Sequence, residues 1–319
     1  MSKPGPLDER VMQRLKLREL RILMTVAQEG TMGKAAAKLA LSQPAVSKAI
    51  AEMEYTLGIS LLDRTARGVE PTLYGRALLK WATAVFDDLR QGVREIEFLA
   101  DPTQGEVRLG CVENMNVGLV PAVIARLTRQ YPRLVFTVTT ASSIAEQSRN
   151  LRERRVDFVF GRIMRSMADE DDLEAEILCE DPLVVVAGEG SKWLRRRKIK
   201  PADLVDEPWS FTSPDSPIGT FVAEAFRAQG LDPPHMIVRS NSPHLGYAMA
   251  HTGHFLSVAP ASVLWMSGKR FGLKAVPVDL PIRPGPMAII TLKNRIISPV
   301  AQLFIDCARN LTKSFAKKG

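Results

Sequence analysis

The spacing of apolar residues changes character along the chain. Leu20, Leu23, Val26 and Ala27 recur at helical intervals, and Gly30 follows as a stop. Thr31 can cap a short Ala-rich helix, Met32–Leu39. Ser42, with Pro44 in the first turn, opens a third helix over Gln43–Leu57. Within it Val46, Ile50, Met53 and Leu57 step by four, three and four, which makes one buried stripe. Residues 61–71 read as two short extended pieces around a turn containing Gly68. From Leu78 a heptad-like seam of Leu78, Ala82, Val85, Leu89, Gly92, Ile96 and Leu99 predicts a long helix over 76–99. Beyond a polar hinge at 101–105 the pattern alternates. Strands are predicted over 106–110, 134–139, 156–161, 183–187, 209–212, 237–239, 255–259 and 287–293. Helices are predicted over 117–130, 143–152, 220–229 and 299–316. Such alternation predicts an α/β module of parallel sheets with helices on both faces.

The third helix carries candidate chemistry. Opposite its buried stripe stand Gln43, Ser47, Lys48 and Ala51, short or amide side chains with one cation, suited to base edges and phosphates. A helix-turn-helix presents its second helix in this way, N-terminal residues toward the major groove of DNA. The candidate DNA contacts are Thr31, Lys34, Ser42, Gln43, Pro44, Ser47 and Lys48. Arg64 and Arg67 on the hairpin would meet phosphate or enter the minor groove. Taken singly, each of these residues reads as part of a small three-helix core with solvated arginines; their ordered combination is what points to DNA. Charge agrees. The 319-residue chain has a formal charge of +8, and residues 1–80 hold 13 basic and 8 acidic residues.

Composition bounds the rest. The length allows two or three domains, and 45% hydrophobic with 24% charged residues excludes a long disordered or collagenous chain. Cys111, Cys179 and Cys307 lie far apart without a CxxC pair, so neither a disulfide framework nor a zinc site is expected. The polar start lacks a secretory signal and no run of 18 apolar residues exists, so a cytoplasmic protein without membrane contact is expected. No GxSxG, HExxH or P-loop pattern appears, and neither enzymatic activity nor a cofactor is expected. His251 and His254 read as packing or pocket lining. The cationic run over 192–200 reads first as a solvated surface, with a second nucleic-acid patch as the alternative.

Residues 17–75 resemble the winged helix-turn-helix of LysR-type transcriptional regulators. The resemblance is carried by Leu39, the run from Ser42 to Ser47, Ile50, Glu54, Leu57-Gly58, Leu61-Leu62-Asp63-Arg64, Arg67-Gly68, Thr72 and Gly75. Leu62 stands where Phe is usual and Pro71 where Leu is usual. The chain is also similar to the branch holding regulators of aromatic-ring catabolism and of galactose-binding-protein operons. The resemblance implies three parts: a winged helix-turn-helix over 1–75, a linker and dimerisation helix with hinge over 76–104, and an effector module over 105–319. The module would be periplasmic-binding-protein-like, with two Rossmann-like lobes, 105–161 plus 277–319 and 162–276, hinged near 161–162 and 276–279. It further implies homodimers joined into a homotetramer, a small-molecule effector, and RNA polymerase as a candidate partner.

Ligands of such sheets sit at strand carboxyl ends beside helix starts. The candidate effector contacts are accordingly Glu113, Asn114, Met115, Thr140, Ser142, Ser143 and Arg162 on one side, and Ser213, Ser216 and Ser242 on the other. Plain N-capping accounts equally well for serines such as Ser143 and Ser242. Hydroxyls and free amides suit a small polar metabolite, a carboxylate above all; Glu113 suits instead a hydroxylated or cationic one. The competing reading is a solute-binding or enzymatic α/β protein with an incidental N-terminal bundle.

Overall fold

A computed structural model describes residues 15–65, 68–141, 143–163 and 170–316, apart from the side chains of Arg64, Pro217 and Ala316. Two compact units result, Met1–Arg90 and Gln91–Gly319.

In the first unit α1 (Leu17–Glu29), α2 (Met32–Leu39) and α3 (Gln43–Leu57) enclose a core of Ile22, Leu23, Val26, Ala35, Ala36, Val46, Ile50 and Met53. Gly30 ends α1 in the left-handed region at φ 70°. Thr31 caps α2 by accepting from the Lys34 N–H at 3.2 Å, and Ser42 caps α3 by accepting from Ala45 at 3.3 Å. The antiparallel ribbon β1 (Leu62–Thr65) and β2 (Gly68–Pro71) is tied down at two places. Glu54 Oε1 accepts from the N–H groups of Leu61 and Leu62, and Val69 N–H donates to the Gly30 carbonyl at 2.8 Å. A Cβ at Gly68 would come within 2.2 Å of that carbonyl oxygen, so only glycine lets the ribbon close on the α1–α2 turn.

The long helix α4 (Leu73–Ala100) follows. Its seam departs from the expected one at the start. Leu78 packs on the first unit's core and Ala82 is buried, because α4 must itself cover the three-helix core. The exposed stripe is instead Trp81, Val85, Leu89, Val93, Ile96 and Leu99, with Trp81, Ile96 and Leu99 at 69%, 68% and 74% exposure.

The second unit holds two lobes. The first sheet has the order β4-β3-β5-β12-β6, built from β3 (Gln104–Val112), β4 (Arg133–Ala141), β5 (Phe158–Arg162), β6 (Leu173–Cys179) and β12 (Met287–Leu292). Helices α5 (Leu119–Gln130), α6 (Ile144–Arg152) and α10 (Pro299–Ala316) belong to this lobe. Phe136, Phe158, Phe160 and Phe304 form its aromatic centre, with ring centroids 5.6–5.8 Å apart. The second lobe pairs β7 (Leu183–Gly188) with β10 (Ser257–Pro260) and β11 (Leu273–Ala275), and β8 (Trp209–Phe211) with β9 (Met236–Arg239). Ser210 and Leu256 exchange backbone bonds with their neighbours and stitch the two pairs together. Helices α7 (Pro217–Arg227), α8 (Pro243–His251) and α9 (Ala261–Phe271) complete it.

Two expectations need correction. The sheets are mixed: β3 runs parallel to β4 and β5, and β8 to β9, but β12 is antiparallel to both neighbours, and β7 to β10 and β11. A strand returning from the other lobe enters the first sheet from the opposite end, which reverses its direction. The second lobe also does not begin at 162. Strand β6 lies in the first sheet, so the chain crosses over at 180–182 and returns at 276–286. Its sequence, Leu-Glu-Ala-Glu-Ile-Leu-Cys, hides an edge strand, because its middle, Glu174 to Ile177, is exposed on both faces and carries two glutamates.

Candidate functional site

The exposed start of α3 in the first unit presents Gln43, Pro44 and Lys48, with Ser47 half-buried beside them. Their common face follows from the buried Val46–Ile50–Met53 stripe, which turns the opposite side outward. Lys48 lies 3.7 Å from Glu52, an exposed pair that leaves its ammonium available. Lys34 is exposed on α2, while the hydroxyls of Thr31 and Ser42 are engaged as caps. Arg64 lies in β1; its side chain, and Arg67 altogether, fall outside the described residues.

Between the lobes of the second unit lies a chamber of about 430 Å³. The first lobe lines it with Val112, Glu113, Asn114, Met115, Ala141, Ser143, Ile144, Ala145 and Arg162. The second contributes Phe211, Thr212, Ser216, Ile218, Asn241, Ser242, Tyr247 and Ser257 among others. These residues arrive where strands β3, β4, β5, β8 and β9 end and where α6, α7 and α8 begin. The side chains of Ser143 and Ser216 are spent on their own helices, accepting from Glu146 and Gly219, whereas Ser242 makes no side-chain cap to α8. Two hydroxyls in the wall, Tyr247 Oη and Ser257 Oγ, are buried without a hydrogen-bond partner among the described residues. A buried hydroxyl left unpaired costs about 1–3 kcal/mol, a cost that a bound polar group removes. Burial pushes the Tyr247 phenol well above its ordinary range, with Asp181 adding to the effect and Arg162 opposing it. The hydroxyl therefore stays protonated and can donate.

The only cation among the described lining residues is Arg162, and it is already committed. Its guanidinium donates to Asp181 Oδ2 at 2.7 Å and to the carbonyls of Asp181 and Gly285 at 2.6 and 3.0 Å. Asp181 also accepts from the N–H and hydroxyl of Ser262, at 2.9 and 2.8 Å. This clasp joins both crossover segments to the start of α9, so Arg162 holds the hinge while its side chain edges the chamber. Glu113 brings a carboxylate, 3.6 Å from His244.

Of the expected effector contacts, Glu113, Asn114, Met115, Ser143, Arg162, Ser216 and Ser242 line the chamber. Thr140 does not line it. Its Oγ1 accepts from Asn116 at 2.7 Å beside a separate groove over α5, because strand parity gives the chamber to Ala141. Ser213 is also absent from the wall; its carbonyl accepts from Ser216 in the turn before α7. Ser142 lies outside the described residues. Tyr247, Ser257 and the apolar wall of Ile144, Phe211 and Ile218 were missed, since core-like residues inside helices and strands give no signal of facing a cavity.

All three cysteines are buried. Burial and Glu113 push the Cys111 thiol up to about 12, and its Sγ–H donates to Asn116 Oδ1 at 2.9 Å. Burial raises Cys179 to about 11 and lifts Cys307 as well. His251 Nδ1 hydrogen-bonds to the Phe271 carbonyl at 2.9 Å, and His254 packs edge-on against Phe255. Among the described residues no group of three or more His, Cys, Asp or Glu is placed to hold a metal ion, and no helix is long and apolar enough to cross a membrane.

A profile of the LysR substrate binding domain matches residues 100–313, and one of bacterial regulatory helix-turn-helix proteins of the lysR family matches residues 17–76. The chain is 31% identical over 303 residues to the HTH-type transcriptional regulator GbpR of Azospirillum brasilense, covering 93% of this chain and 86% of that protein. It is 30% identical over 280 residues to the regulator BenM of Acinetobacter baylyi, covering 86% and 89%. Among solved structures, full-length CbnR complexed with its target DNA shares the fold at a TM-score of 0.51 and 20% identity, covering 93% of this chain and 100% of that one.

Proposed function

Because this chain belongs to the LysR family of bacterial transcriptional regulators, we propose that a small polar metabolite held in its interlobe chamber sets how it acts on DNA. The protein is a DNA-binding transcription regulator with a helix-turn-helix and an effector-binding domain, and its relatives are regulators, not enzymes. The observation that carries the effector reading is a pair of hydroxyls, Tyr247 Oη and Ser257 Oγ, unpartnered among the described residues, in the wall of a chamber whose polar rim comes from both lobes. With Arg162 already paired and the remaining wall largely apolar, the best fit is a hydroxyl-bearing molecule with an apolar body. A carboxylate on it would draw on the partial positive charge at the start of α8.

On this reading Gln43, Pro44, Ser47 and Lys48 meet the major groove, Thr31 and Lys34 support them, and Arg64 and Arg67 hold the wing on the backbone. The exposed stripe on α4 supports a homodimer through paired helices, which would present two heads to two half-sites. A tetramer and contact with RNA polymerase are proposed on family resemblance. A DNA partner supports a cytoplasmic location.

Genomic footprinting with and without candidate metabolites identifies the operator and the metabolite that alters it. Thermal shift with that metabolite then compares the parent with Tyr247→Phe and Ser257→Ala. The parent's melting temperature should rise with the logarithm of metabolite concentration, and the variants should need a higher concentration for the same rise. Equal shifts in all three proteins would place the effector outside the chamber.

A further inference from the structure

The second lobe carries a charge cluster that effector binding does not use. Between residues 192 and 200 stand Lys192, Arg195, Arg196, Arg197, Lys198 and Lys200, with no acidic residue among them. The segment is not a loose tail. Trp193 and Ile199 are buried in the second lobe's core at either end, and Ser191 starts its 3-10 turn by accepting from the Trp193 N–H. Glu207 is occupied by this anchor, taking Lys192 Nζ at 2.8 Å and Trp193 Nε1 at 2.9 Å. Asp203 accepts from the Lys200 N–H. Arg196 stacks on the Trp193 ring, its guanidinium carbon 4.8 Å from the centroid.

What remains is four consecutive exposed cations, of which Arg195, Arg197 and Lys198 make no ion pair or side-chain hydrogen bond with any described residue. Solvated faces ordinarily intersperse charges of both signs. Here a rigid frame holds like charges together, and a polyanion laid across them relieves their mutual repulsion.

We propose that this run is a docking surface for the phosphate backbone of duplex DNA, additional to the helix-turn-helix. Three of the four cations are arginines, whose planar fork matches phosphate oxygens in a bidentate way. A bilayer fits poorly, because Trp193 is buried beneath the cations and no apolar side chain stands among them to insert. DNA is also the polyanion already bound by the first unit of the same chain. Tethering makes a second, weaker contact effectively intramolecular. The contact is independent of base sequence, so it adds affinity and salt dependence and no specificity.

The test uses the full-length protein and a long fluorescent duplex of random sequence, with binding followed by anisotropy over about 50 to 200 mM KCl. The triple variant Arg195→Ser/Arg197→Ser/Lys198→Ser leaves the Arg196 stack and the buried anchors in place. A charge-matched control replaces three exposed cations of the other lobe, Arg126→Ser/Arg129→Ser/Lys293→Ser. For the patch variant the slope of log K against log salt should flatten by about 0.9 per phosphate contact removed, hence by about 2–3 per protomer. The control should keep the parent slope. Arg197→Ser alone should flatten it by about 0.9 and serves should the triple variant fold poorly. A parent-like slope in both patch variants overturns the proposal and leaves an acidic protein surface as the partner. Equal flattening in the control overturns it too, since net charge alone would then explain the effect.

Discussion

Removing the Asp181 carboxylate should unfasten the two lobes more than any other single truncation at the chamber's edge. In the native state the Arg162 and Asp181 side chains are 7% and 0% exposed, and the ion pair is 2.7 Å long. Asp181→Ala leaves a buried guanidinium without its counter-charge, a loss of about 3–5 kcal/mol. It also strips the Ser262 N–H of its acceptor, worth about 1–3 kcal/mol more unless water replaces it. Two carbonyl bonds to Arg162 survive and hold the total near the lower end of that combined range. Asp181→Asn keeps the shape and part of the acceptor set and should cost about half as much, roughly the value of one charge-assisted hydrogen bond. Replacing both partners, Arg162→Leu with Asp181→Leu, removes the buried charges together and should cost less than either single change. Urea unfolding followed by tryptophan fluorescence measures all four proteins. A Trp81→Phe background confines the signal to Trp193, Trp209 and Trp265, all in the second unit. If Asp181→Ala stays within about 1 kcal/mol of its parent, or if the double variant costs the sum of the singles, the clasp does not hold the hinge.

Three further outcomes follow from the geometry. Gln43→Ala should relax operator preference at one base position at a cost of about 1–3 kcal/mol, read by competition with single-base operator variants. Leu89→Glu or Ile96→Glu places like charges on the exposed stripe of α4, and sedimentation should then show monomers where the parent sediments as a larger species; a parent that is itself monomeric at micromolar concentration refutes the helix pairing. The thiols should resist a disulfide reagent in the native protein and react on unfolding. Because Cys111 and Cys179 titrate near 12 and 11 in the fold, their contribution to stability is complete below the unfolded thiol value and is lost as pH rises through it toward those numbers. The melting temperature should accordingly fall on the alkaline side, and less so with Cys111→Ser.

The DNA-reading unit was legible in the sequence because its determinants are local. Caps at Thr31 and Ser42, the stop at Gly30 and the Val46–Ile50–Met53 stripe each act within a turn or two of chain. The effector unit was legible element by element but less so in its connectivity. Nothing local in 173–179 distinguishes an edge strand of the first sheet from a loop leading to the second lobe; the decision is made by pairing with β12, more than a hundred residues downstream. The same holds at the chamber. Thr140 and Ala141 are neighbours in sequence, yet strand parity sends one to a groove over α5 and the other to the chamber, and a boundary uncertainty of one residue exchanges them. Arg162 was found by position, but its engagement depends on Asp181 and Gly285, which only the crossovers bring to it.

The place of β12 has a consequence for how the protein is made. It pairs with both β5 and β6, which are consecutive in the chain yet do not pair with each other, so the strand that unites the first sheet leaves the ribosome only after every strand of the second lobe. The helix-turn-helix, with its local contacts, can fold as soon as it emerges. The second lobe closes next, because all its strands precede residue 276. Throughout that interval the first lobe waits with β5 and β6 as unpaired edges and its aromatic centre short of Phe304. At about 5–20 residues per second the wait lasts seconds, during which the growing chain can already hold a DNA-reading head without a working switch. A message truncated shortly before 287 would therefore yield a regulator able to grip DNA but with an exposed sheet edge, prone to aggregation and deaf to its effector.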